Sequence, residues 1–161
     1  MTTDQTTFAV RPVPYDDPAA EALRQAMDAE MRLRYADRLA DPGHLPTGMG
    51  VRAETVLHTG VAFDAGLPVG HIALRRLGEE VELKRMYVAP SHRGTGVARA
   101  LLAAAEDAAR ALGAERIILQ TGDRQPDAVR LYERAGYTRV PIFPPYESLD
   151  YSLCFEKALA S

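Results

Sequence analysis

Residues 81–98 read VELKRMYVAPSHRGTGVA, and this stretch decides the fold. Its first part, up to Val88, is apolar and β-prone, which predicts a strand. Gly94 and Gly96 follow, and a helical pattern begins directly after them. A strand that passes through such a turn into a helix leaves backbone N–H groups unpaired beside the positive end of the helix dipole. The stretch therefore predicts a binding site for an anionic ligand.

The side chains of the turn favour a phosphorylated ligand. Glycine lets the backbone approach a ligand closely, and Arg93 can pair with phosphate oxygens. A P-loop would need a lysine near the turn, and there is none. A dinucleotide fingerprint would need a third glycine where Arg99 stands, and a parallel setting. The alternative that two glycines merely shape the turn stays open at this point.

Hydrophobic periodicity places further elements on either side of this stretch. Upstream, residues 56–64, 68–77 and 80–88 predict an antiparallel meander. The clearest helix covers 95–112 and ends at Gly113. The remaining predictions are strand 7–13, helix 18–36, loop 37–50, strand 116–121, helix 126–134, short extended pieces around a proline-rich turn, and a last strand 151–156. The order β-α-β-β-β-α-β-α-β-β predicts one mixed sheet of the α/β (α+β) class.

Composition limits the number of domains and the kinds of partner. The 161 residues are 47% apolar with a net charge of −3, which predicts a single domain over 1–161, with residues 1–6 disordered. The acidic balance argues against a nucleic-acid surface, and we expect neither a membrane span nor a signal peptide. The single cysteine, Cys154, excludes an internal disulfide framework and suggests a cytoplasmic protein. The four histidines have no metal-ligand spacing, so we expect no metal site.

Two sequence motifs resemble those of a known family. The run RGTGVA at 93–98, after a strand ending MYVAP at 86–90, resembles the acetyl-CoA signature of the GNAT superfamily of N-acetyltransferases. The run AVRLYE at 128–133, followed by Gly136 and Tyr137, resembles a later motif of that superfamily at the expected distance. The resemblance covers residues 7 to 156. It implies a GNAT-like, mostly antiparallel sheet flanked by helices, with acetyl-CoA as co-substrate.

The resemblance also implies which residues bind the coenzyme. The edge of the strand at Met86 and Val88 would pair with the pantetheine arm. Gln125 stands where the family commonly has an asparagine that faces this arm; both side chains offer an amide donor and acceptor. The CoA pyrophosphate would lie on the backbone amides of Arg93, Gly94, Thr95, Gly96, Val97 and Ala98.

By the same resemblance, Tyr132 is the general acid that protonates the leaving thiolate. An amine acceptor with a pKa near 10 must lose a proton before it attacks, and the superfamily often uses a strand carboxylate for this, sometimes through water. Glu80 and Glu82 share one face of the strand, and we favour Glu82 because it is nearer the thioester. A break in pairing near residues 84–86 would free an amide, such as that of Met86, for the oxyanion.

The resulting functional expectation is an acetyl-CoA-dependent transfer to a primary amine of a small molecule. The alternatives are a protein lysine or N-terminal acetyltransferase and a non-catalytic acyl-CoA-binding sensor. We expect the acceptor groove to be formed by the first helix, the 37–50 loop and the tail at 141–149. No nucleic-acid or membrane partner is expected, and a homodimer is left open because the fold implied by the resemblance commonly dimerises.

Overall fold

The computed structural model describes residues 8–36 and 51–159, and these form a seven-stranded sheet in the order β1-β2-β3-β4-β5-β7-β6. Its strands are β1 Ala9–Pro12, β2 Val56–Asp64, β3 Leu67–Leu77, β4 Glu80–Val88, β5 Arg116–Gly122, β6 Thr138–Val140 and β7 Ser152–Ala158. Its α-helices are α1 Pro18–Arg34, α2 Val97–Ala111 and α3 Pro126–Arg134. Short 3₁₀ turns cover Ala53–Thr55, Pro90–His92 and Tyr146–Ser148. Every strand pair is antiparallel except β4 with β5.

The helices cover opposite faces of the sheet because successive strand residues point to opposite sides. On β2, Val61 packs with Ala20 and Leu23 of α1. The next residue, Ala62, belongs to the larger core that α2 and α3 cover. The N-terminal end of α2 lies close to β3 at Gly70, where a Cβ would come within 2.8 Å of Val97 Cγ1.

The parallel pair β4–β5 separates halfway along β4. The two strands pair from Val81 with Ile117 to Leu83 with Leu119, and no further. Just beyond this point two residues of β4, Arg85 and Met86, stand opposite one residue of β3. Arg85 also has a φ of 59°, so the strand carries a bulge. The second half of β4 therefore bends away and leaves its β5-facing edge open.

The predicted class and element order are confirmed, with shifts at the ends of elements. The first helix ends at Arg34 rather than 36, the second α-helix begins at Val97 rather than 95, and the last strand runs from Ser152 to Ala158. The predicted break near residues 84–86 is present as the bulge. The loop at 37–50 and the disorder predicted for residues 1–6 lie outside the described residues. Within the described ranges, no helix is both long and apolar enough to cross a membrane.

Candidate active site

A cavity of about 290 Å³ opens where β4 and β5 separate. One wall is the bulged part of β4, the opposite wall comes from β5 and α3, and α1 closes a side. Its described lining combines apolar, aromatic and amide groups with two cations: Met27, Met31, Tyr35, Val51, Leu83, Lys84, Arg85, Met86, Gln120, Thr121, Gly122, Gln125, Tyr132 and Tyr151.

The turn after β4 presents an open, uncapped helix start. Gly94 and Gly96 have φ angles of 79° and 99°, in a region that favours glycine. A Cβ at either position would meet nothing within 4 Å, so the space in front of the turn is open. Gly96 is the N-cap of α2 and provides no side-chain hydrogen bond to the first turn. The first amides of α2 therefore receive no hydrogen bond from an N-cap side chain, an arrangement compatible with the predicted anionic ligand.

Arg93 is held at this turn by two contacts. Its Nε donates to the carbonyl of Val88 at 3.0 Å. Its terminal nitrogen pairs with Glu30 of α1 at 2.7 Å, and 44% of the Arg93 side chain is exposed. The ion pair is accessible to solvent, so a phosphate can replace the Glu30 carboxylate on Arg93.

A buried histidine fixes the bulge of β4. Arg24 donates to Nε2 of His71 at 2.9 Å, and arginine can only donate, so Nε2 is the acceptor. The hydrogen is then on Nδ1, which donates to the carbonyl of Arg85 at 2.9 Å. Burial, opposed by this bond and assisted by the two arginines, lowers the pKa of His71 to about 4. A neutral imidazole thus anchors the bulge at working pH.

Tyr132 lies on α3 with its side chain 4% exposed and still lines the cavity. Tyr137 and Phe155 pack against its ring with centroids at 5.8 and 6.3 Å. Burial raises the pKa of Tyr132 far above its ordinary value of 10, so the phenol stays protonated at any working pH. The hydroxyl therefore keeps its proton and is available there as a donor of a proton or a hydrogen bond.

Gln125 and Met86 line the same cavity as Tyr132. Gln125 is the residue before α3, and its side-chain nitrogen lies 3.4 Å from the hydroxyl of Tyr35. Of the residues predicted from the sequence, the cavity therefore brings together Met86, Gln125 and Tyr132. Val88 lies further along the open half of β4, and the turn at 93–98 follows that strand.

Glu82 does not line this cavity. Its side chain is 0% exposed and accepts from Arg75 Nε at 2.7 Å. It also accepts from the hydroxyl of Tyr146 at 2.6 Å. Since all of its surface is covered, the carboxylate does not face an acceptor as the predicted role of base requires. Glu80 lies near the surface, paired with Arg116 at 2.6 Å, and does not line the cavity either.

Of the three segments predicted to form the acceptor groove, the first helix lines the cavity. Helix α1 contributes Met27, Met31 and, at its end, Tyr35. The expected tail does not: Pro141, Phe143, Pro144 and Pro145 line a different groove, together with Glu80 and Arg116. The loop at 37–50, the third expected part, lies outside the described residues.

Sequence reasoning missed Lys84 and Tyr146. Lys84 lines the cavity, and its Nζ donates to the hydroxyl of Tyr146 at 2.9 Å. Strand alternation places Lys84 on the same face as Glu82, and this pattern could have indicated Lys84 from the sequence. Tyr146 is separated from Glu82 by 64 positions, and no local pattern relates the two.

Cys154 is completely buried in β7, and burial raises the pKa of its thiol, which fits a core residue. Among the described residues no group of three or more His, Cys, Asp or Glu side chains is arranged to hold a metal ion.

Comparisons with known proteins agree with this geometry. A model of the acetyltransferase (GNAT) family matches residues 19–137. An IAA acetyltransferase of Azospirillum brasilense is 40% identical over 90 residues, which are 56% of this chain and 59% of that protein. An acetyltransferase of Agrobacterium fabrum is 38% identical over 80 residues, 50% of this chain and 54% of that protein. The chain thus spans less than two thirds of the length of these curated relatives.

Solved structures extend the likeness to nearly the whole chain. A Klebsiella pneumoniae protein, provisionally assigned as an acyl-CoA N-acyltransferase, has a TM-score of 0.77 and 29% identity over 95% of this chain and 98% of its own. A GNAT acetyltransferase of Elizabethkingia anophelis, crystallised with acetyl-CoA bound, has a TM-score of 0.69 at 15% identity. That second match covers 96% of this chain and 100% of the other, and it concerns the fold alone.

Proposed function

Because the chain belongs to the GNAT acetyltransferase family, we propose that it is an acetyl-CoA-dependent N-acetyltransferase. The acetyl group moves from CoA to a primary amine of a small molecule by direct attack. The observation that carries this proposal is the opening between β4 and β5, which leads into a cavity lined by Met86, Gln125 and Tyr132. A strand edge, an amide side chain and a protonated phenol therefore border one space.

The coenzyme binds along the open half of β4 in this proposal. The amides of residues 93–98 hold the pyrophosphate at the start of α2, and Arg93 exchanges Glu30 for a phosphate oxygen. The edge of β4 at Met86 and Val88 pairs with the amide groups of the pantetheine arm. Gln125 faces the same arm from the N-terminal end of α3.

Tyr132 is the acid in this reaction. The CoA thiolate, with a pKa of roughly 8.5, leaves when the C–S bond breaks, and the phenol supplies a hydrogen bond and then the proton. The bulge at Arg85 and Met86 turns a backbone amide toward the thioester, where it stabilises the oxyanion of the tetrahedral intermediate. No acyl-enzyme is needed, and the buried Cys154 takes no part.

The size of the cavity favours a small acceptor. Its volume of about 290 Å³, near the lower end of ligand sites at about 300 to 1,000 Å³, has to hold the thioester end of the coenzyme as well. The methionine and tyrosine side chains of its wall suit an amine with an apolar or aromatic body. A protein acceptor would instead be recognised by activity on peptides and none on free amines.

The test is release of CoA thiol from acetyl-CoA across a panel of small primary amines and peptides. We expect activity on at least one small amine and a 10²- to 10⁴-fold loss of kcat in Tyr132→Phe. Tyr137→Phe is the matched control, since this buried neighbouring phenol donates to Glu106 at 3.0 Å and does not line the cavity. Full activity of Tyr132→Phe would mean that Tyr132 is not the general acid. Binding of CoA without turnover on any amine would favour a sensor.

A further inference from the structure

The described lining of the cavity contains a cation where the sequence suggested a carboxylate. Two charged side chains, Lys84 and Arg85, are among these lining residues, and no aspartate or glutamate is. Arg85 is bound to Asp28 at 2.8 Å and to the carbonyl of Arg24 at 3.3 Å. Of the two cations, Lys84 is therefore the one that can exchange a proton with a bound acceptor, because an arginine stays protonated.

A chain of buried groups stands behind Lys84. Its Nζ donates to the hydroxyl of Tyr146 at 2.9 Å, and that hydroxyl donates to Glu82 at 2.6 Å. Arg75 holds Glu82 at 2.7 Å and reaches the hydroxyl of Tyr146 at 3.2 Å. Tyr146 and Glu82 are each 0% exposed and do not line the cavity, so among Lys84, Tyr146 and Glu82 only Lys84 is a lining residue.

We infer that Lys84 is the general base that takes the proton from the acceptor ammonium, and that Glu82 acts on the reaction only by positioning Lys84 through Tyr146. This inference rests on the proposed function. An N–H bond of the ammonium breaks and its proton joins the lone pair of neutral Lys84 Nζ. The freed amine lone pair forms the C–N bond to the acetyl carbon. The electrons of the C–S bond leave on sulfur, which takes the proton of Tyr132. The new amide nitrogen then releases its second proton, which restores the phenol of Tyr132.

The surroundings of Lys84 favour the neutral amine that this step needs. Burial lowers the pKa of Lys84 to about 8; Glu82 opposes this shift, and Arg75 and Arg85 add to it. A base with a pKa near the working pH combines a usable neutral fraction with a driving force for proton transfer. Among the residues that the structure describes, the charged and titratable groups around the amine and its cavity are Glu82, Arg75, Arg85, Tyr132, Tyr146, Tyr35 and Tyr151.

The protonation of Lys84 can be measured without any acceptor. The chain has two lysines, Lys84 and Lys157, so protein labelled with ¹³Cε-lysine gives two signals, and Lys157→Met assigns them. We expect the Lys84 signal to titrate near pH 8. In Tyr146→Phe the amine loses a hydrogen-bond acceptor for its charged form, so the midpoint should fall further. A midpoint at or above 10 in the wild-type protein would overturn the inference.

Kinetics then show whether Lys84 acts as a base or only as a positive charge that binds an anionic acceptor. Lys84→Arg keeps the positive charge but cannot become neutral, and Lys84→Met loses both charge and base. We expect both variants to lose 10²- to 10⁴-fold in kcat, and the rise of kcat with a midpoint near pH 8 to disappear. Lys157→Met, which changes a lysine that does not line this cavity, should keep its kcat.

Failure of the proposed function and failure of the role of Lys84 give different results. A wild-type protein that acetylates no amine overturns the proposed function and the role of Lys84 with it. An active wild-type protein with an active Lys84→Arg variant overturns Lys84 alone. If Lys84→Met in that case raises KM, the lysine is an anchor for the acceptor. Glu82→Gln should keep a reduced kcat with a displaced pH midpoint, as a positioning role requires.

Discussion

The two halves of β4 differ in how they are paired and in what they contribute. From Val81 to Leu83 the strand is bonded to β3 on one side and to β5 on the other. From Lys84 to Val88 it is separated from β5, and Lys84, Arg85 and Met86 border the cavity. The first half holds the buried carboxylate of Glu82 in a fixed position, and the second leaves its β5-facing edge open. The comparison shows that one strand supplies both rigidity and an open edge because its pairing changes in the middle.

The largest expected effect comes from breaking the charge pair of the closed half. Glu82→Gln leaves the buried guanidinium of Arg75 without its carboxylate, and removal of one partner of a buried ion pair costs about 3–5 kcal/mol. Chemical denaturation should show this as a lower free energy of unfolding. The double variant Arg75→Met with Glu82→Gln removes both charges, so part of the loss should return. A single variant as stable as the wild type would mean that the pair is not buried in solution.

The next effect concerns His71, which anchors the bulge between the two halves. Its pKa is about 4 in the folded protein, lowered mainly by burial, against 6.5 in the unfolded chain. The unfolded chain therefore binds the proton first, and stability is lost as the pH falls from about 6.5 to 4. A shift of this size corresponds to at most about 3 kcal/mol.

Unfolding measured at several pH values should show this loss, and the loss should be smaller in His71→Gln. The carboxylates that titrate in the same range are common to both proteins, so the difference between the two curves isolates the histidine. Identical curves would contradict a buried neutral imidazole at this position.

The third effect tests the turn at the far end of the open half. Gly96→Ala places a side chain at a φ of 99° and should cost about 1–2 kcal/mol of stability. Gly113→Ala is a matched control, because Gly113 has a φ of 81° after α2 and equally open space around it. Both variants should lose similar stability, but only Gly96→Ala should bind acetyl-CoA more weakly in calorimetry. Equal affinities of Gly96→Ala and Gly113→Ala for acetyl-CoA would mean that the turn does not bind the coenzyme.

The open half of β4 was largely predictable from the sequence. The strand, the turn and the start of α2 are contiguous, so periodicity and two glycines indicate them directly. The position of Tyr132 on α3 follows from a second contiguous motif. Local patterns were sufficient because each of these features depends on a few neighbouring residues.

The closed half was not predictable in the same way. Alternation correctly puts Glu80 and Glu82 on one face, but it does not say which of them the rest of the chain covers. Glu82 is covered because Tyr146, 64 positions away, bonds to it. The position of Lys84 Nζ depends on a contact with the same distant residue. Burial of a charge is a tertiary property, so local periodicity could not distinguish the two carboxylates.

The smallest effect is expected at Glu80, the other carboxylate of that face. It pairs with Arg116 at 2.6 and 3.0 Å, as Glu82 pairs with Arg75, but the side chains of Glu80 and Arg116 are 36% and 44% exposed. Exposed ion pairs contribute about 0–1 kcal/mol because water and salt screen them. Glu80→Gln should therefore lower the free energy of unfolding by less than 1 kcal/mol, and 0.5 M salt should reduce that difference.

The hydrogen bond from Arg116 lowers the pKa of Glu80, so its small contribution to stability is present at neutral pH and lost in acid. A loss as large as that of Glu82→Gln would show that burial is not what distinguishes the two carboxylates.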